Sequence, residues 1–304
     1  LNLTDESIDT QKSVVIEEFK QRCLNVPYGD LYHFCNDLAY KVHPYRWPTI
    51  GLSVDDIKNA SHEDIKSFFA QHYAVNNLIL CVSGHIEFEK AVALTEKWFG
   101  DFAPANIPVR NLPQEPVQTE QRFMSVKREV PQNVLTMMYH MCGRCDADYQ
   151  VCDMLSDVLS NGMSSRFYRN VLVKSGLFTE LDASVSGTYD PGLFIVRARL
   201  ADGVSFDKAK DAIDAELADF VSNGATAYEI EKCANKYEST RLFDMITYEK
   251  KGVKLCQYEL LGDAADINKE VGKYRCITQD RLMNVAKNLL NPDNCSILYY
   301  GPDA

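Results

Sequence analysis

No hydrophobic stretch in this chain approaches the ~18 residues of a membrane-spanning helix, so its 46% of hydrophobic residues are expected to serve buried cores. It has no basic cluster either. Against 43 acidic residues stand 32 lysines and arginines, a net charge of −11, which excludes nucleic acid and anionic membrane as expected partners. The histidines, His33, His43, His62, His72, His85 and His140, form no HExxH, HxxEH or HxxxH pair. No helix of this sequence therefore presents two imidazoles to one metal ion, and each histidine is expected at the surface or hydrogen-bonded in a core. The ten cysteines follow no disulfide-framework spacing. In 304 residues that favours reduced thiols and leans to the cytoplasm, with the periplasm still open.

What is present is a segment that occurs twice. SHEDIKSFFAQHYAVNNLILCVSG runs from Ser61 to Gly84, and TQDRLMNVAKNLLNPDNCSILYYG from Thr278 to Gly301. Ser61 corresponds to Thr278, Asn77 to Asn294 and Gly84 to Gly301, all at one offset of 217 residues. A constant offset over a helix and a strand predicts an internal duplication. The second copy follows a long half that begins near Gln121, whereas the first has only 60 residues before it. Homologous halves would then place roughly 97 further residues ahead of Leu1, in a protein of about 400. An isolated fragment of that kind would expose apolar sheet surface and be marginal or self-associating.

Periodicity predicts a helix over 6–24, a second over 31–40, a loop at HPYRWP (43–48), and a helix from Ser61 with a capping box closed by Asp64. An apolar strand is expected at Leu78–Val82 and an amphipathic helix at 88–98. Pro104, Pro108, Pro113 and Pro116 mark a linker over 104–118. It separates a first domain, 1–103, from a second, 119–304. The second predicts strands at 122–129 and 134–141, helices at 148–159 and 164–174, and a hairpin of 179–188 with 193–200 about Asp190-Pro191-Gly192. Helices should fill most of 206–290 before a last strand at 296–300. This order gives an α+β fold of two homologous halves, each an antiparallel-rich sheet with helices on one face.

Two groups invite chemistry. Cys142 and Cys145 form a CxxC, CGRC, but zinc wants four ligands and only Cys152 lies nearby, while a redox CxxC opens a helix in a βαβ unit. The CxxC is therefore assigned no function. Glu17 and Glu18, in SVVIEEFKQR, tell more. Glu18 lies four residues after Val14, three after Val15 and beside Phe19, on the apolar side of its helix, and Glu17 nearer solvent. A buried carboxylate is costly unless paired or bound to a metal. Either Glu18 pairs with Arg22 at i+4, or it is a ligand.

Several segments, in order, resemble a known family. HPYRWPTIG, the segment SHEDIKSFFAQHYAVNNLILCVSG, and LSNGMSSRFYRNVLVKSGL are similar to signatures of the pitrilysin-like (inverzincin) zinc metallopeptidases, above all their short bacterial two-domain members. The resemblance implies zinc held by the histidines of an HxxEH and by a glutamate on a later helix. The Glu inside HxxEH is the general base. Matching SVVIEE to the later helix makes Glu18 the third zinc ligand, with Glu17 in its place if the register slips by one. HxxEH is absent from this sequence, and the family spacing puts it upstream of Leu1, so this chain alone is expected to be inactive and its zinc site incomplete. Gln11 stands where many members have a supporting Glu. Leu172 and Thr179 stand where active members have a substrate-binding Arg and Tyr. The resemblance thus implies a zinc endopeptidase acting on peptides or small unfolded proteins, as a homodimer or with a related subunit. The alternative is a non-catalytic paralogue serving as partner subunit.

Overall fold

The computed structural model describes residues 3–302. Helices α1 (Asp5–Phe19), α2 (Leu31–Ala39), α3 (Val54–Asn59), α4 (His62–His72) and α5 (Phe88–Phe99) come first. Strands β1 (Arg122–Lys127) and β2 (Val134–His140), helices α6 (Tyr149–Ser160) and α7 (Val173–Ser175), and the hairpin β3 (Phe178–Val185) and β4 (Leu193–Leu200) follow. Helices α8 (Phe206–Asn223), α9 (Ala227–Asp244), α10 (Tyr248–Leu261), α11 (Glu270–Arg275) and α12 (Gln279–Leu289) lead to β5 (Cys295–Gly301). Two stretches wind as π-helix, Lys20–Leu24 after α1 and Phe167–Leu172 before α7.

Contacts divide the chain into two compact units. The first comprises Leu1–Lys20, Ile50–Leu112 and Glu238–Val271, and the second Gln21–Thr49, Pro113–Tyr237 and Gly272–Ala304. One boundary, between Leu112 and Pro113, falls inside the proline-rich stretch.

The second unit holds a five-stranded sheet in the order β1-β5-β2-β4-β3. β1 runs parallel to β5 and the remaining neighbours are antiparallel, which makes the fold α+β. Alternation along β2 explains the layers, because successive side chains of a strand point to opposite faces. Leu135, Met137 and Tyr139 enter a core shared with α6, α8, α9 and α12. Val134 and Met138 enter a second core with Leu298 and Tyr300 of β5 and with Leu31, Cys35 and Leu38 of α2. Helices therefore cover both faces of this sheet, where the sequence predicts one. β2 is apolar on both sides, and either side left open would keep large side chains in water, at roughly 1.5–3 kcal/mol each.

The first unit is built differently. Among the described residues, the buried apolar ones that belong to it are Ile8, Phe19 and Tyr258. Its links are largely polar and exposed: Lys12 Nζ donates to the carbonyls of Lys58 (2.8 Å) and Ala60 (2.7 Å), His62 meets Asp9 at 2.8 Å, and Lys66 meets Asp5 at 2.7 Å. The apolar run 78–82 is extended but belongs to no strand among the described residues, contrary to the sequence reading. An apolar segment becomes a strand only where a neighbour supplies a ladder, and here Cys81 and Ser83 lie instead against Gly252 of α10. Leu78, Leu80 and Val82 stay about half exposed.

The two similar segments, 61–84 and 278–301, agree in detail up to that point. α4 and α12 are each 11 residues long, capped by Ser61 and Thr278, and each is followed by a three-residue 3-10 turn, Val75–Asn77 and Pro292–Asn294. The side-chain amide of Asn77 donates to His72 O (2.8 Å), and that of Asn294 to Leu289 O (2.9 Å).

Candidate functional site

Glu17 and Glu18 lie in the last turn of α1. Glu17 is exposed and its carboxylate is engaged by Lys20 Nζ at 2.6 Å, the i, i+3 pairing that a helix surface favours. Glu18 is half-buried. Directly after it the chain widens into the π-turn Lys20–Leu24, a distortion that costs backbone geometry and recurs at functional sites. Gln11 is exposed on the same helix.

Leu172 and Thr179 belong to the second unit. Leu172 closes the π-turn Phe167–Leu172 and packs, partly buried, against the main core. Thr179 is the residue skipped in the β3–β4 register, between Phe178↔Leu200 and Glu180↔Arg199, so it occupies a β-bulge. Bulges re-aim side chains beside active sites. Its hydroxyl donates to Arg199 O at 3.4 Å. Glu18, Leu172 and Thr179 thus sit at or beside an interruption of regular structure, which no propensity argument signals.

The HPYRWP loop is held more firmly than its sequence suggests. Tyr45 N donates to His43 Nδ1 (3.1 Å), so that nitrogen carries no hydrogen and Nε2–H donates to Asp190 Oδ2 (3.2 Å). His43 is buried and stands edge-on to Tyr45, with Tyr40 beside both. Glu115 accepts from the backbone N–H groups of Lys41, Val42 and His43 at 2.7–3.0 Å. Burial alone would raise its carboxyl, but these three donors hold it below the usual carboxylate range. Nearby, Arg122 donates to the carbonyls of Leu38 and Ala39, and His140 Nε2–H donates to Ala39 O (2.9 Å), covering the open C-terminal end of α2. Burial pushes the His140 imidazole down. The sequence reading found the histidine-proline loop but missed its clamp, because Glu115 lies more than 70 residues away in what read as linker.

Among the described residues this unit has at least two cavities. One, ≈ 220 Å³, is lined by Tyr28, Tyr32, Glu180, Asp182, Arg197 and Arg199, with Arg197 stacked on Tyr32 and Arg199 on Tyr28. The other, ≈ 510 Å³, is bounded by Glu115, His140, Cys142, Asp148, Cys152 and Asn294, among others. Among the described residues no three His, Cys, Asp or Glu side chains converge to hold a metal ion. No described helix is long and apolar enough to cross a membrane.

Residues 59–237 match the family described as Peptidase M16 inactive domain, more than half of the chain. Zinc protease PqqE of Helicobacter pylori is 28% identical over 237 residues, covering 76% of this chain and 53% of the relative. The uncharacterized zinc protease SCO5738 of Streptomyces coelicolor is 23% identical over 296 residues, covering 95% and 63%. The chain therefore spans between half and two thirds of the length of these relatives. In three dimensions it resembles a protease from Helicobacter pylori with a TM-score of 0.92 at 24% identity, over 99% of this chain and 74% of that one. A peptidase M16 inactive domain from Pseudomonas fluorescens follows at 0.83 and 18%, over 99% and 71%. At these identities the likenesses show the fold.

Proposed function

The chain belongs to the M16 peptidase family, and on that premise we propose that it is part of a zinc-dependent endopeptidase acting on peptides or small unfolded proteins, with Glu18 as one metal ligand. The observation that carries this is the position of Glu18, half-buried in the last turn of α1 with a π-turn beginning two residues on. The names of the relatives as zinc proteases support it. Glu18 lies outside the matched segment 59–237, so its role rests on the SVVIEE resemblance and this geometry.

Zinc wants three or four donors and activates a bound water; the histidines and the general base would come from an HxxEH that this sequence does not contain. What this chain contributes is one anionic oxygen ligand on a rigid helix, and the HPYRWP loop pinned through His43, Asp190 and Glu115. The matching turns at Asn77 and Asn294 support two homologous halves, 1–103 and 119–304, joined through 104–118.

A second reading has its own support. Leu172 is packed against the core and Thr179 offers a hydroxyl bound to Arg199 O, so neither supplies a guanidinium or phenol to a substrate. A paralogue that lends structure to a related catalytic subunit, or a zinc-bearing subunit that borrows those groups from its partner, fits these residues.

The test is zinc content and cleavage of an unstructured peptide by the full-length protein, beside Glu18→Gln. Loss of about one zinc per chain together with loss of cleavage would establish the ligand. Zinc retained in the variant would remove Glu18 from the site. No zinc and no cleavage in either form would leave the partner-subunit reading.

A further inference from the structure

The smaller cavity of the second unit, ≈ 220 Å³, lies where the first turn of α2 meets β3 and β4. Arg197 and Arg199 stand on one face of β4, two residues apart, and Asp182 and Glu180 of β3 lie opposite them in the ladder. Cross-strand neighbours of this kind have Cβ atoms about 5 Å apart. Each guanidinium lies over a tyrosine ring. Arg197 Cζ is 4.9 Å from the ring centroid of Tyr32, and Arg199 Cζ is 5.1 Å from that of Tyr28. Arg197 Nη2 also donates to the Tyr32 hydroxyl at 2.8 Å. Leu31 and Val134, both buried, supply an apolar wall.

Two features set this cavity apart from an ordinary ladder of cross-strand charges. The Nε–H groups of Arg197 and Arg199 are both shut off from water and have no hydrogen-bond acceptor among the described residues. Glu180 Oε2 comes within 3.4 Å of Arg199 Nε but is not aligned to accept from it. A buried donor left unsatisfied costs about 1–3 kcal/mol, and more where it is charged, so two on one cavity call for an anionic oxygen. The second feature is Tyr28, whose φ of 64° is a left-handed conformation that a bulky side chain adopts only under constraint. Its hydroxyl donates to Gln132 O (2.9 Å) and accepts from Gln132 N (3.0 Å). A Cβ at the next residue, Gly29, would meet Arg22 O at 2.7 Å. The turn is held in a strained form that lays Tyr28 over Arg199, and strain of this kind collects at ligand clamps.

We propose that this cavity binds a free α-amino acid with an apolar side chain, its carboxylate on Arg197 and Arg199 and its ammonium beside Asp182 and Glu180. The cavity presents both signs of charge within the span of one cross-strand pair, and an α-amino acid carries both on a single carbon. A carboxylate alone would meet Asp182 and Glu180 as like charges, and an amine alone would leave the arginine donors unpaired. The fork of N–H groups on a guanidinium matches the two oxygens of a carboxylate. Burial raises the Asp182 carboxyl despite the pull of Arg197, so a cation brought beside it is stabilising. At ≈ 220 Å³ the cavity is smaller than the roughly 300–1,000 Å³ of drug-sized sites, which limits the occupant to a single residue. Its side chain lies against Leu31, Val134 and the tyrosine rings. Glu18 takes no part, so this assignment stands or falls apart from the zinc reading.

The experiment is isothermal titration calorimetry of the full-length protein with leucine, beside leucinamide, which lacks the carboxylate, and isocaproate, which lacks the amine. Leucine should bind at about one site per chain, and leucinamide, isocaproate and glycine at least about tenfold more weakly. Arg199→Gln and Asp182→Asn should each weaken leucine by about tenfold. Because Arg199 also packs on Tyr28 and its replacement can disturb folding, Asp182→Asn, at an exposed position, is the variant whose urea midpoint should stay unchanged. No binding of leucine up to about 10 mM would assign the arginine donors to water and overturn the proposal. Isocaproate binding as tightly as leucine would make this a plain anion site, and leucine binding untouched by Asp182→Asn would place the amino acid elsewhere. Either result also overturns it.

Discussion

Asn77 and Asn294 make the same hydrogen bond 217 residues apart, each side-chain amide reaching back to the carbonyl five residues earlier, His72 O at 2.8 Å and Leu289 O at 2.9 Å. An open carbonyl in the last turn of a helix is satisfied in both cases by the last residue of the 3-10 turn that follows it. Asn294 also donates to His140 O at 3.0 Å, tying its turn to the end of β2.

The two asparagines should therefore not be equivalent in stability. Asn294→Ala strands two partly buried carbonyls and is expected to cost about 1–3 kcal/mol. Asn77→Ala, at an exposed turn, should cost roughly 0.5 kcal/mol. Urea unfolding of both variants checks this. Equal costs would mean that the bond to His140 O contributes nothing.

Removing the His43 imidazole should be more damaging than neutralising its partner. His43→Ala loses the bond to Asp190 and the acceptor for Tyr45 N, and an expected ~2–3 kcal/mol. Asp190→Asn keeps an oxygen that accepts from Nε2–H and should cost about 1 kcal/mol. If thermal or urea unfolding finds Asp190→Asn the worse of the two, charge pairing rather than hydrogen bonding holds the loop.

Acid should weaken the second unit in two stages. Neutral His140 is favoured by burial, so the unfolded state binds its proton more readily and stability begins to fall as pH drops below about 6.5. Glu229 is raised by burial but brought down to about 2 by Arg166 and the N–H of Thr226. Its contribution is complete above about pH 4.5 and is lost as pH falls toward about 2. Glu216, raised chiefly by burial, works in the opposite sense and softens the second stage. Urea midpoints measured from pH 8 to pH 3 should show both stages. Glu229→Gln should flatten only the lower one, and His140→Gln only the upper.

What was legible in the sequence was local. The capping box of Ser61 and Asp64 is present with both of its bonds, and β4 alternates as its residues predict. What was not legible depends on partners far along the chain. The run Leu78–Val82 is as apolar as Ile297–Tyr300, yet only the latter finds ladders, with β1 and β2. Glu115 reads as linker and proves to be a clamp on His43, and Gln118 is buried against Cys295 O (2.9 Å) and Ser296 Oγ (3.1 Å). The spacing of CGRC pairs Cys142 with Cys145, whereas in the fold Cys142 and Cys152 of α6 line one cavity. Neither π-turn has a sequence signal, although Phe167–Leu172 lies inside LSNGMSSRFYRNVLVKSGL and Lys20–Leu24 begins just after SVVIEE.

The unequal cores predict where this chain opens first. With Ile8, Phe19 and Tyr258 as its buried apolar residues, the first unit gains little from burial, at roughly 1.5–3 kcal/mol for each such side chain. Its exposed ion pairs add about 0–1 kcal/mol apiece, as surface pairs usually do. Meanwhile Phe88, Trp98, Phe102 and Phe243 are each more than 60% exposed, an apolar surface that invites association. Brief trypsin treatment of the chain should cut after Lys90, Lys97 or Arg110 well before any site between β1 and β4, because local opening tracks local burial. The hydrophobic dye ANS should bind the intact chain and lose most of its signal once the first unit has been digested away. Cleavage that begins within the sheet, or a chain that resists trypsin throughout up to a single cooperative unfolding transition, would show that the first unit is stabilised by more than its burial accounts for.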